Sequence, residues 1–136
     1  MITKKYVNNL AYQIVGAAIE VHREIGPGLL ESIYERLLKH ELFIRGFKVE
    51  TQVNVPVIYK NKTVECDLRL DLLVDDLIIV ELKSVEKMNP LYEAQLLTYL
   101  KLLKKPKGLL INFNTNNITK SLVPMVTEEF SKLNES

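Results

Sequence analysis

The sequence predicts an α/β fold in which three antiparallel strands lead into a strand–helix–strand crossover, giving a mixed sheet flanked by helices. Three observations carry this. Apolar residues recur at helical spacing from Leu10 to Leu38. From Val49 the period changes to two, the spacing of a half-buried strand. A helical stretch then separates the strand ending near Lys83 from the apolar run Leu109-Leu110-Ile111-Asn112-Phe113, and a right-handed crossover makes two such strands parallel.

The first helix is expected from about Tyr6 to Ile25, with Leu10, Ile14, Ala17, Ala18, Val21 and Ile25 on one face. Gly26-Pro27-Gly28 ends it, because Pro27 pushes Gly26 out of the helical region. A second helix spans about Leu29 to Arg45, with Leu30, Ile33, Tyr34, Leu37 and Leu38 inward and Gly46 as terminator. Val49, Thr51, Val53, Val55, Val57 and Tyr59 form an alternating strand, turned by Asn61-Lys62. Strands at about Glu65–Val74 and Leu77–Lys83 follow. Asn89-Pro90 then opens a helix from about Leu91 to Lys104. After the Leu109–Phe113 strand, a weak strand is expected near Ile118 to Val123. Residues 1–126 are thus read as a single domain, and 127–136 as a frayed tail or loose helical turn.

Composition bounds the function. With 47% hydrophobic and 26% charged residues, the chain has the profile of an ordinary globular domain. Cys66 is the only cysteine, so one chain builds neither a disulfide nor a thiolate cluster. A reducing, cytoplasmic setting is the expectation, with Cys66 a small core residue. Lys4, Lys5 and Tyr6 do not resemble a signal peptide. Charges interrupt the longest apolar stretch, Leu68 to Leu82, so no membrane partner is expected. A net charge of +1 argues against coating nucleic acid by bulk electrostatics while permitting a local basic strip. Lys101, Lys104, Lys105 and Lys107 are a candidate for that strip, and equally a solvated helix end.

The hairpin from Leu68 to Lys83 carries the chemistry. Leu68, Leu70, Leu72, Val74, Ile78, Val80 and Leu82 are all apolar and are expected to face one core. The complementary set holds Arg69, Asp71, Glu81 and Lys83, with Leu73 and Ile79 nearer the turn. Asp71 and Glu81 share a face only if the loop has an odd number of residues, such as Asp75-Asp76-Leu77. A two-residue loop would drive charges into the core. The odd register sets Asp71 across from Glu81 and Arg69 across from Lys83. Like charges face to face cost about 0.2–1 kcal/mol per pair. Two arrangements relieve this: an ion-pair quartet with diagonals Asp71–Lys83 and Arg69–Glu81, or a hard divalent cation bridging the carboxylates. On the hairpin alone the quartet is the commoner outcome.

Other residues add to the pattern. Glu31 lies at the start of the second helix, where the helix dipole favours an acid. Gln95 and Tyr99, at i and i+4, point the same way from the third helix. Gly28-Leu29-Leu30-Glu31-Ser32-Ile33-Tyr34 reads G-x-x-E-x-x-Y, followed by Arg69-Leu70-Asp71, Glu81-Leu82-Lys83 and Gln95-x-x-x-Tyr99. In these four ordered blocks the chain resembles the GxxExxY protein family, a branch of the PD-(D/E)XK nuclease superfamily, from about Ile14 to Val123.

The resemblance implies a restriction-endonuclease-like core and a metal-dependent nuclease acting on DNA or RNA. Asp71 and Glu81 would ligate Mg²⁺ or Mn²⁺, with Glu31 reaching it directly or through water. Lys83 would orient the attacking water and offset transition-state charge. Gln95 and Tyr99 would hold the phosphate backbone, with Arg69 and Tyr34 as further substrate-positioning candidates. His22 is a possible substrate contact, and His40 reads as a surface residue.

The competing reading is a non-catalytic nucleic-acid- or protein-binding module on the same fold. The chain has no room for a dedicated recognition domain, so specificity would come from a protein partner or a homodimer, or be low.

Overall fold

A computed structural model describes residues 1–136. Helix α1 (Lys4–Ile25) starts at Thr3, whose hydroxyl accepts from the Tyr6 N–H at 3.0 Å. Helix α2 (Glu31–Ile44) follows the Gly26–Leu30 turn. The sheet strands are β1 (Val49–Asn54), β4 (Arg69–Val74), β5 (Ile78–Lys83), β6 (Lys107–Asn112) and β7 (Leu122–Val126), in the order β1-β4-β5-β6-β7. A separate ribbon of β2 (Val57–Tyr59) and β3 (Lys62–Val64) is inserted between β1 and β4. Helix α3 (Pro90–Leu103) carries the crossover, and β5 and β6 are parallel as expected. The other neighbours in the five-stranded sheet are antiparallel. This is a mixed α/β architecture of the restriction-endonuclease-like type.

Two cores hold the sheet. On one side Leu72, Val74, Ile78, Val80, Leu82, Leu109 and Ile111 pack against α1 and α2. On the other, Leu73, Ile79 and Leu110 pack against Leu96, Tyr99 and Leu100 of α3. The helix approaches closely at Gly108 of β6, where an added Cβ would meet Leu96 Cδ1 at 2.9 Å.

Four expectations are corrected. First, the long strand from Val49 to Tyr59 is broken at Val55-Pro56, where Pro56 has no N–H to donate to a partner strand. Lys60 and Asn61 then adopt left-handed backbone (φ 49° and 66°) to turn the ribbon tightly. Second, the apolar set from Leu68 to Leu82 does not share one core: Leu68 and Leu70 join the α3 side. Gln52 has φ 51°, and the register runs Thr51↔Leu72 then Val53↔Leu70 on either side of it. Across this point Val49 packs toward α1 and α2 but Val53 toward α3, so strict alternation fails in both strands. Third, Cys66 is exposed rather than a core residue. Fourth, the C-terminal end takes the helical-turn alternative and is tied down rather than frayed. Helix α4 (Glu128–Ser131) forms, Phe130 and Leu133 pack on the core, and the Lys4 N–H donates to Asn134 O at 2.8 Å. The weak strand near Ile118 is a 3₁₀ turn over Ile118–Ser121 that runs into β7.

No helix is long and apolar enough to cross a membrane.

Candidate metal and phosphodiester site

The loop between β4 and β5 has three residues, Asp75-Asp76-Leu77, the odd length that the apolar pattern requires. The pairs Val74↔Ile78, Leu73↔Ile79 and Leu72↔Val80 follow, and the same register sets Asp71 opposite Glu81. At that step the side chains bridge the strands. The Asp71 N–H donates to Glu81 Oε2 at 2.7 Å, and the Leu82 N–H donates to Asp71 Oδ2 at 2.8 Å.

Both carboxyls are held above their usual range. For Asp71 burial is the main cause, partly offset by the Leu82 N–H and by the charge of Lys83. For Glu81, which is 5% exposed, burial is again the main cause and the neighbouring Asp71 charge adds to it. No lysine, arginine or histidine nitrogen lies within 4.0 Å of either carboxylate.

The ion-pair quartet therefore does not form. Arg69 turns away to Asp67 at 2.9 Å. The Lys83 amine lies over the Tyr92 ring of α3, 4.4 Å from its centroid, a cation–π contact that parks the charge beside the acids without neutralising them.

Helix α2 brings further acids. The Tyr34 hydroxyl donates to Gly26 O at 2.6 Å and accepts from the Leu29 N–H at 3.2 Å, while Ser84 Oγ donates to Leu29 O at 2.5 Å. Gly26 and Gly28 take φ 80° and 109°, which the turn needs and other residues rarely adopt. These bonds tie the start of α2 to the end of β5, so that Glu31 faces the site. Burial raises the Glu31 carboxyl, Lys83 opposes this, and Asp71 adds to it.

A cleft of about 470 Å³ lies beside Asp71, lined by Glu31, Ser32, Glu35, Arg36, Gln52 and Asp71. Glu35 and Gln52 are not among the site residues to which the sequence points. Gln52 Nε2 donates to Glu35 Oε1 at 2.6 Å and reaches Asp71 Oδ1 at 3.5 Å. One signal lies in the sequence, Glu35 one turn after Glu31; the place of Gln52 opposite Asp71 follows only from the β1–β4 register.

On α3, Tyr99 is nearly buried. Burial and the charges of Glu81 and Asp71 raise its phenol. Its hydroxyl makes no hydrogen bond to the protein, yet no buried polar side-chain atom lacks a partner, so the hydroxyl reaches solvent. Gln95 is exposed one turn earlier.

Two expected positioning residues are placed elsewhere. Tyr34 is 0% exposed and stacked on Phe113 at 4.4 Å, so it holds the turn rather than a substrate. Arg69 is engaged with Asp67. His22 Nε2 donates to Thr115 O at 2.7 Å, which fixes its ring at the far end of α1.

The donor chemistry fits a hard divalent cation: two adjacent carboxylates, mostly withdrawn from water and lacking a counter-charge. Glu31, Asp71 and Glu81 do not converge as they stand into a three-acid cluster.

A mixed sheet with paired acids and a lysine at the end of a parallel-paired strand defines a nuclease-fold protein. Residues 8–123 match the sequence profile of the PD-(D/E)XK nuclease superfamily, and the chain belongs to it. Members of this superfamily generally use divalent metals. No curated protein and no solved structure matches the chain.

Proposed function

We propose that this protein is a metal-dependent nuclease hydrolysing phosphodiester bonds in DNA or RNA. The observation that carries the reading is the Asp71–Glu81 pair: two adjacent acids, largely buried, with no cation within ion-pair distance. A carboxylate pair so placed costs stability unless protonated or bound to a cation. A structural pair would have recruited Lys83 or Arg69, and neither is used.

Asp71 and Glu81 would hold the ion, Mg²⁺ or Mn²⁺, with Glu31 contributing through water. A bound divalent ion supplies Lewis acidity and a water of lowered pKa. Lys83 leaves the Tyr92 ring to orient the attacking water and to offset the charge growing on the phosphate oxygens. Water adds to phosphorus, and the bond to the leaving sugar oxygen breaks. Tyr99 and Gln95 donate to phosphate oxygens, contacts that position the backbone without reading sequence. Gln52 holds Glu35 and Asp71 in place from the opposite strand. Gly28, Glu31 and Tyr34 support placement in the GxxExxY branch.

The test is cleavage of several DNA and RNA substrates with Mg²⁺ or Mn²⁺, run beside Lys83→Ala. Metal-dependent cleavage lost in the variant supports the reading. Nucleic-acid binding without cleavage in any form would replace it with the binding-module reading, in which Lys83 serves affinity alone.

A further inference from the structure

The β2–β3 ribbon is the one part of the sheet system that serves neither core. Only Val57 is partly covered; every other residue of its two strands is exposed. Tyr59, Ile58 and Val64 are 64%, 61% and 42% exposed.

The register pairs Tyr59 with Lys62 on one face and Ile58 with Thr63 on the other, so large side chains project from both faces. At the tip, Lys60 Nζ lies 5.4 Å from the Tyr59 ring centroid. Neither Lys60 nor Lys62 forms an ion pair. The ribbon departs from Asn54 and returns at Arg69, the β1–β4 end nearest Asp71. Asp71 is nine steps along the chain from Lys62, so the tip lies within roughly 30 Å of the acids. That is less than one turn of B-form DNA, about 34 Å.

Resting on the nuclease reading, we propose that this ribbon is a duplex-DNA grip, seated in the major groove with Lys60 and Lys62 on the flanking phosphates and Tyr59 against the groove wall. A ribbon packed on a protein surface hides one face; this one presents apolar groups on both, as insertion between two walls requires. The B-form major groove, about 12 Å wide, admits a two-stranded ribbon. The A-form groove of an RNA duplex is too deep and narrow. Lys60 and Lys62 concentrate positive charge at the tip, while the acids of the insert, Glu65 and Asp67, are set back between β3 and β4, where Asp67 pairs with Arg69.

The experiment compares wild type with Lys60→Ala/Lys62→Ala and Tyr59→Ala, in Ca²⁺. Binding is followed by fluorescence anisotropy to a labelled DNA duplex of about 20 base pairs, two helical turns, to the matching RNA duplex and to single strands. Wild type should prefer the DNA duplex. The double variant should bind it about tenfold more weakly, with a log–log salt slope smaller by about 1.8, or 0.9 for each lost phosphate contact. Its Mn²⁺-dependent hydrolysis of a small phosphodiester, bis(4-nitrophenyl) phosphate, should be unchanged. Tyr59→Ala should weaken binding without altering the salt slope.

If wild type binds and cuts DNA while the double variant keeps its affinity and slope, the grip is wrong and the nuclease reading stands. Preference of the wild type for single strands or RNA duplex also overturns the grip. A wild type that neither binds nor cuts any nucleic acid overturns both.

Discussion

Asp71 and Glu81 each replace a rung of the β-ladder: the Asp71 N–H donates to the Glu81 carboxylate at 2.7 Å, and the Asp71 carboxylate accepts from the Leu82 N–H at 2.8 Å. The two acids thus brace the strands while crowding each other. Burial holds both carboxyls above their usual range, and at Glu81 the Asp71 charge adds to the rise, so ionising both together sets up a conflict.

A divalent cation should relieve it. Mn²⁺ or Mg²⁺ is expected to raise the melting temperature, since a hundredfold excess over Kd stabilises the fold by about 2.7 kcal/mol. That is of the order of 10 °C for a domain of this size. Asp71→Asn should remove most of this response. Thermal melts with metal and with chelator read the difference; no response in the wild type would count against the metal site.

Lys83→Ala separates chemistry from metal binding. A protonated lysine has no lone pair to ligate an ion, so the metal-induced rise in melting temperature should survive. Cleavage should fall by about a hundredfold or more, the usual cost of removing a group that stabilises developing charge. Loss of both together would show that Lys83 is needed to build the site.

The metal-free protein should be less stable at pH 8 than at pH 5. Glu81 rises from 4.5 to about 8 on folding, chiefly through burial. A raised acid pKa means the folded state binds more protons, so its stabilising contribution is full below about 4.5 and lost as pH climbs through about 8. Asp71, Glu31 and Glu35 shift in the same direction. Urea titrations across this range should show the decline, and Glu81→Gln should flatten it by at least about 1 kcal/mol, roughly one pKa unit. A decline equally steep in the variant would assign it to other groups.

Gly108→Ala should destabilise the fold by about 1–3 kcal/mol. Its methyl would press on Leu96 Cδ1 at 2.9 Å and Leu100 Cδ1 at 3.0 Å, in the contact that holds α3, and so Tyr99, against the sheet. Chemical denaturation gives the size of the effect. A neutral result would mean the helix moves away freely.

Tyr34→Phe should cost about 1–3 kcal/mol of stability by leaving Gly26 O and the Leu29 N–H without their partner. In cleavage assays KM should stay put while any loss appears in kcat, through a displaced Glu31. A rise in KM alone would return Tyr34 to a substrate-contacting role.

Much of this protein was determined by sequence pattern alone. Period 3.6 in the first two helices, period two around Val49 and the apolar hairpin give the order of the main elements, though not the separate β2–β3 ribbon. The parity of Leu72, Val74, Ile78, Val80 and Leu82 demands an odd loop, and with three residues in it Asp71 falls opposite Glu81. Side-chain period is a local property that burial enforces along each regular stretch, so there it can be read from the chain.

Where each charge settles was decided by tertiary structure. Lys83 went to the Tyr92 ring and Tyr34 inward to Gly26 O and the Phe113 ring, leaving Arg69 to its sequence neighbour Asp67. These choices depend on which groups packing brings within a few ångströms. The left-handed turn at Gln52 brought Glu35 and Asp71 to one amide and divided Leu70 from Leu72 between two cores. A single backbone dihedral of that kind has no signature in a glutamine. Long-range contact determines it, because only the packed sheet repays the strain.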